Sequence, residues 1–215
     1  MLDNEFRDSY GLRQKAEQII EIGINNLKDK LENGLLQDYL TTLYQYSDAE
    51  RHHSMNVASI TLMLCLTYDF TETELEQIAI GCLLHDAGKL RLEPLLLYKP
   101  HLFTPEERKL VEQHSVNGKT LLEKATENEI ILNIAHLHHE RLDGKGYPLG
   151  LKGDEIPLYV QIVSIADVFD ALVSKRCYKD SLSAFQAIEK MESFEGLNKE
   201  VLNKLKSIIS TALVS

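Results

Sequence analysis

The residues best equipped for chemistry are histidines and aspartates set in short clusters. His138 and His139 stand side by side, directly before Glu140-Arg141-Leu142-Asp143-Gly144-Lys145-Gly146-Tyr147-Pro148. Upstream, His85-Asp86 opens the run His85-Asp86-Ala87-Gly88-Lys89, and downstream Asp167 lies inside the apolar stretch Val160 to Phe169. Imidazole and carboxylate are ligands of borderline and hard divalent metals. No CxxC pair is present, which argues for metal-dependent hydrolysis over a thiolate-bound structural zinc.

The segment before Asp86 is apolar (Ile78, Ala79, Ile80, Cys82, Leu83, Leu84), so its end is expected to be buried. A buried carboxylate needs a paired charge or a metal. Gly88 is expected to relieve the backbone where the helix stops, and Lys89 brings a cation to the same place. Taken alone, a His-Asp dipeptide reads as readily as a capped helix end. Helical spacing puts His53 on an apolar face with Val57, Ile60 and Leu64, and His52 on a polar one with Asn56 and Ser59. His53 is therefore the candidate ligand, although by itself it reads as a satisfied core histidine. His114 alone carries little information, and His101 and His136 are assigned structural or solvated roles. Adjacent helical residues point about 100° apart, so His138 and His139 can converge only where a helix ends, and Asp143-Gly144 ends it. Asp167 needs a cation in its hydrophobic helix, whereas Asp170 reads as a supporting or capping acid. Lys175-Arg176-Cys177-Tyr178-Lys179 is either a solvated basic loop or a phosphate clamp.

The elements that must position these residues are nearly all helical. Apolar spacing predicts helices over about 7–30, with Gly34 ending that segment, then a short one running to about Tyr46, and one over 50–66. Gly23 weakens the first slightly. Thr71 with Glu74 and Thr104 with Glu107 have capping-box spacing, the second with Pro105 at the first helical position. Further helices are expected over 127–138, from Pro157 through Val173, after a Ser183–Gln186 cap, and over 198–213. Gly150 to Gly153 marks a hairpin-like loop, and no sheet is implied. The expectation is an all-α fold, with residues 1–48 a helical cover packed on a main domain spanning 49–215.

Composition narrows the class. A chain of 215 residues with 44% hydrophobic residues can bury a proper core. No apolar run reaches the ~18 residues that span a bilayer, and the first thirteen residues are too polar for a secretory signal. Three widely spaced cysteines, Cys65, Cys82 and Cys177, form no disulfide framework and point to a reducing cytoplasm. A net charge of −10 argues against a DNA, RNA or anionic-membrane surface, but leaves room for a small phosphate ligand.

Together the motifs resemble the HD-GYP family, a bacterial branch of the HD-domain metal-dependent phosphohydrolases. The match runs from about His53 to Lys179. It comprises HDxGK at 85–89, HHExxDGxGYP complete at 138–148, ADxFDAL at 166–172 and RxYK at 176–179. The resemblance implies hydrolysis of cyclic di-GMP on an all-helical fold, through two or three metals that are often iron or manganese. By position it assigns His53, His85, Asp86 and Asp167 to one metal, with Asp86 bridging to a second held by His114, His138 and His139. Lys89 would join Asp86 in catalysis by steadying the phosphate. Gly146, Tyr147 and Pro148 would face substrate, and Arg176 and Lys179 would contact guanylyl phosphate.

The chain departs from the family in three places. Some members bind a third metal through a glutamate one turn before the first histidine; here that position is Ala49, and Glu50 is out of phase by one residue, so two divalent metals are expected. Ser115 and Cys177 stand where many relatives carry proline. The ligand set suits iron or manganese and also accepts zinc. The implied substrate is a cyclic dinucleotide, cleaved to the linear dinucleotide, with further cleavage to GMP left open. A second copy of the chain or a signalling protein is a candidate partner. Two rival readings stand beside this one: a phosphohydrolase of another nucleotide, and a non-catalytic cyclic di-GMP receptor.

Overall fold

The computed structural model describes residues 9–30, 41–42, 48–93, 96, 102–174 and 181–212. The helices are α1 (Ser9–Lys30), α2 (Asp48–Cys65), α3 (Glu72–Leu84), α4 (Pro105–Leu122), α5 (Glu129–Leu137), α6 (Leu158–Val173), α7 (Ala184–Glu192) and α8 (Lys199–Ala212). Short 3-10 turns cover Ala87–Arg91 and Gly153–Glu155. Among the described residues the sole β feature is an isolated antiparallel bridge between Asp143 and Lys152, which closes the expected hairpin-like loop without making a sheet. The fold is all-α. The short helix expected up to Tyr46 lies outside the described residues, apart from 41–42, which are helical.

Helix starts follow local chemistry. Thr71 Oγ1 accepts from the Glu74 N–H while the Glu74 carboxylate accepts from the Thr71 N–H. Thr104 with Glu107 and Ser183 with Gln186 make the same reciprocal pair. Each such cap satisfies otherwise orphaned N–H groups and contributes about 1 kcal/mol. α5 begins two residues later than the expected start at Glu127, because Asn128 is the cap and its Oδ1 accepts from the Ile131 N–H. Pro157 is the cap residue of α6 and not its first helical residue.

α2 packs between α3 and α6, α3 also touches α1 and α5, and α4 lies against α5 and the 3-10 turn at Ala87–Arg91. Leu62, Leu83, Leu84, Ile134, Ile162 and Ile165 are fully buried where these elements meet. Each such side chain contributes about 1.5–3 kcal/mol through removal from water. Ala16, Ile19 and Ile20 of α1 join the same core. Among the described residues, no helix is long and apolar enough to cross a membrane.

One glycine decides how close the site's elements come. A Cβ on Gly88 would sit 1.9 Å from the His114 carbonyl oxygen and 2.4 Å from the Gly118 nitrogen. The positive-φ glycines among the described residues are Gly144, Gly150 and Gly153, so Gly88 does not relieve backbone strain as the sequence suggested. It allows α4 to press directly onto the turn that carries Lys89.

Candidate metal centre

Asp86, the residue before the 3-10 turn, stands at the middle of a buried group of histidines. Its Oδ2 lies 3.2 Å from His85 Nε2 and 3.9 Å from His53 Nε2. Its Oδ1 lies 3.4 Å from His114 Nε2 and 4.0 Å from His138 Nε2. One carboxylate therefore faces two sets of imidazoles, one on each oxygen. Asp167 makes a second link: Oδ1 is 3.2 Å from His53 Nε2 and Oδ2 is 3.8 Å from His139 Nδ1. Ligand atoms of His53, His85 and Asp86 lie within 4.8 Å of one another, and so do those of His114, His138 and His139.

The backbone fixes the tautomers. His85 Nδ1 is 2.7 Å from the Cys82 carbonyl, His114 Nδ1 is 2.7 Å from the Val111 carbonyl, and His138 Nδ1 is 2.9 Å from the Ile134 carbonyl. A carbonyl only accepts, so each Nδ1 carries a proton, and in the neutral ring each Nε2 offers its lone pair to the centre. His53 is held differently, by Asp170 Oδ2 at 2.6 Å from Nδ1. Asp170 is itself steadied by Asn56 Nδ2 and Ser174 Oγ. It supports His53 from behind, as the sequence suggested.

These lone pairs call for a cation. His114 Nε2 and His138 Nε2 face each other at 3.3 Å. Burial lowers the pKa of both rings, so both are neutral near pH 7 and neither has a proton to share. His85 Nε2 is buried without a hydrogen-bond partner; burial lowers the pKa of its ring, but the Asp86 carboxylate 3.2 Å away outweighs that and raises it, so this side of the centre attracts positive charge. Buried acceptors without donors are costly, and a divalent ion removes that cost. The residues present therefore fit divalent metal ions.

The charges divide along the same lines. Burial opposes ionisation of Asp86 and of Asp167, yet Lys89 and His85 hold Asp86 well below the carboxylate range, and His53 and His139 do so for Asp167. Burial also opposes the charge on Lys89, but Asp86 at 2.6 Å and Glu50 at 3.1 Å outweigh it and keep the ammonium protonated. His139 is pushed down to about 3, chiefly by burial. Burial acts against the imidazolium of His53 too, but its bonds to Asp167 and Asp170 prevail and raise it to about 10.

That contrast predicts a pH dependence. His53 Nδ1 is engaged by Asp170, so a metal at Nε2 must displace the second proton. Uptake is expected to release at least one proton per chain at neutral pH. Apparent affinity should rise about tenfold per pH unit up to the His53 pKa of about 10 and then level off. Calorimetric titration in buffers of different ionisation enthalpy measures the released proton, and pH-independent uptake would contradict the assignment.

The loop after His139 closes one side of the centre. The Tyr147 ring lies over His139, with centroids 4.6 Å apart and planes at 32°. Gly146 packs on the backbone of Glu140 and Arg141, where a Cβ would come within 2.5 Å of Glu140 Cα. Pro148 follows Tyr147 through a cis bond. Arg176, Lys179 and Cys177 lie outside the described residues, as does His101. His52 is exposed and lies off the centre.

Two groups at the centre were missed or misplaced by the sequence. Glu50 was set out of phase with the cluster, yet its carboxylate reaches the rim through Lys89. The 3-10 turn brings Lys89 back towards the start of α2, a long-range approach that helical phase alone does not contain. Glu140 gave no separate signal, though its position inside the eleven-residue motif could have prompted attention; it is buried and accepts three loop N–H groups.

Comparison with known proteins matches this architecture. The HD domain family model matches residues 30–199. A cyclic di-GMP phosphodiesterase of Thermotoga maritima is 37% identical over 162 residues, which cover 74% of this chain and 44% of that protein. A 3'3'-cGAMP-specific phosphodiesterase of Vibrio cholerae is 35% identical over 150 residues, 69% of this chain and 29% of that protein. The chain thus spans less than half the length of these relatives. The solved structure of an HDG"Y"P protein from Bdellovibrio bacteriovorus superposes with a TM-score of 0.65 at 18% identity, covering 98% of this chain and 74% of that one. With the matched model covering most of the sequence, the chain belongs to the HD-domain family.

Proposed function

We propose that this protein is a metal-dependent phosphodiesterase that hydrolyses cyclic di-GMP to linear pGpG. The observation that carries this reading is Asp86, whose two oxygens face two separate sets of imidazoles within one buried centre. In this reading His53, His85, Asp86 and Asp167 hold one ion, and Asp86, His114, His138 and His139 hold a second. Two iron or manganese ions are favoured, and zinc is compatible with the same donors. When bound, such ions supply Lewis acidity towards the phosphodiester and lower the pKa of the attacking water.

The chain's own residues do the rest. Asp86 holds the two halves in register. Lys89 stays protonated beside it and offers charge to the phosphate as negative charge develops. Tyr147 and Pro148 form a wall on the His139 side, with Gly146 letting the loop fold back tightly. Arg176 and Lys179 act as the phosphate clamp. Residues 1–48, through α1, serve as a cover on a catalytic unit spanning 49–215. Free buried thiols at Cys65 and Cys82 support a cytoplasmic location.

The test is turnover of cyclic di-GMP by anaerobically purified protein, with metal analysis of the same sample. Full metal content without turnover would favour the receptor reading. The 3'3'-cGAMP-specific relative supports a second reading, in which a mixed cyclic dinucleotide is preferred. Parallel rates on cyclic di-GMP, 3'3'-cGAMP and cyclic di-AMP separate the two. Arg176→Ala and Lys179→Ala are each expected to raise KM about tenfold, the scale of one charge-assisted contact, with metal content unchanged. Loss of metal in either variant would make that loop structural.

A further inference from the structure

Glu140 is a buried acid with no place among the metal ligands, although it directly follows His139. Its Oε1 accepts from the Leu149 N–H at 2.6 Å and the Gly150 N–H at 3.1 Å, and its Oε2 accepts from the Leu151 N–H at 3.0 Å. Three successive backbone donors thus converge on one carboxylate, an arrangement in which charge strengthens each bond. The same loop returns to the ligand pair at Tyr147, whose N–H donates to the His139 carbonyl at 3.3 Å. Apolar burial does not hold the loop tip, because Leu149 is 60% exposed. The loop is fastened by hydrogen bonds, with Glu140 at their centre.

We infer that Glu140 is a positioning residue that fixes the Tyr147–Pro148 wall over His139, so that the cyclic dinucleotide meets a preformed surface. The inference rests on the proposed function for the substrate-facing role of Tyr147 and Pro148. It assigns Glu140 to substrate binding and not to metal retention. His138 is held by the Ile134 carbonyl and not by Glu140, so the ligand pair has support of its own.

The test uses the full-length, metal-loaded chain with Glu140→Gln and Glu140→Asp. Glutamine keeps the shape but turns an NH2 donor towards at least one loop N–H. Aspartate keeps the charge but is one methylene too short to span the three donors. Both variants are expected to speed amide exchange at Leu149, Gly150, Leu151 and Tyr147, while core amides such as Leu83 and Ile162 stay protected. KM for cyclic di-GMP should rise about tenfold, with kcat within about threefold of the parent and metal content unchanged. Metal lost together with kcat would overturn the inference and make Glu140 a support of the ligand pair. Faster exchange with an unchanged KM would also overturn it, as would unchanged exchange at Tyr147. A parent that does not turn over would instead refute the proposed function. Equilibrium dialysis of cyclic di-GMP then decides on Glu140: weaker binding by the variants supports its role, and equal binding, or none by the parent, overturns it.

Discussion

Asp86→Ala is expected to lower hydrolysis of cyclic di-GMP by at least about 10²–10³-fold and to deplete metal from both halves of the centre. Asp86 faces two imidazoles of each set with separate oxygens, His85 and His53 on one and His114 and His138 on the other, whereas Asp167 reaches one histidine of each set. Losing one imidazole removes one donor, whereas losing Asp86 removes the shared donor and a buried negative charge. Five histidines alone supply no charge to offset two divalent cations, so Asp167 would be left to do so. Asp86→Asn should behave almost as badly, because it restores the shape without the charge. Lys89 retains Glu50 as a partner in both variants, so thermal melting should show a folded protein. Metal analysis and turnover on the same preparations check the outcome. Full metal content with normal turnover would refute the bridging role.

The sequence exposed features whose meaning is local. Caps at Thr71, Thr104 and Ser183 need only residues three apart, and all three form as spacing suggests. The contiguous motif from His138 to Pro148 likewise announces itself. Asp170 was legible as a support for the same reason, being one turn from Asp167 on α6. What stayed hidden depends on elements meeting across the chain. Glu50 meets Lys89 across 39 positions, and no periodicity in α2 encodes where the Ala87–Arg91 turn will lie. Glu140 was visible only as a motif letter, because its partners are backbone N–H groups whose side chains carry no signal. The Nδ1 locks on His85, His114 and His138 belong to the same class, since carbonyl acceptors leave no trace in residue identity.

Gly88→Ala should damage fold and centre together. Glycine at a helix end usually suggests positive φ, and at such a position alanine is moderately strained. Gly88 is not such a position, and the cost arises from contact. The added Cβ would lie 1.9 Å from the His114 carbonyl oxygen and 2.8 Å from its carbonyl carbon, both backbone atoms that cannot rotate aside. α4 would have to retreat, and it carries His114, whose ring belongs with His138 and His139. Overpacking of this kind costs about 3 kcal/mol or more when backbone must move. In a chain of this size that lowers Tm by roughly 6–12 °C. Metal affinity of the His114 set should fall with it, while His53, His85 and Asp167 remain in place. Gly23→Ala provides the contrast: its Cβ, in the interior of α1, meets Ile80 Cγ1 of α3 at 3.5 Å in ordinary contact, and removing a helix-interior glycine should stabilise by about 0.5–1 kcal/mol. Calorimetric melting and metal analysis of the two variants read these opposite signs directly. A Gly88→Ala protein with parental Tm and full metal content would show that α4 and the turn are not pressed together as described.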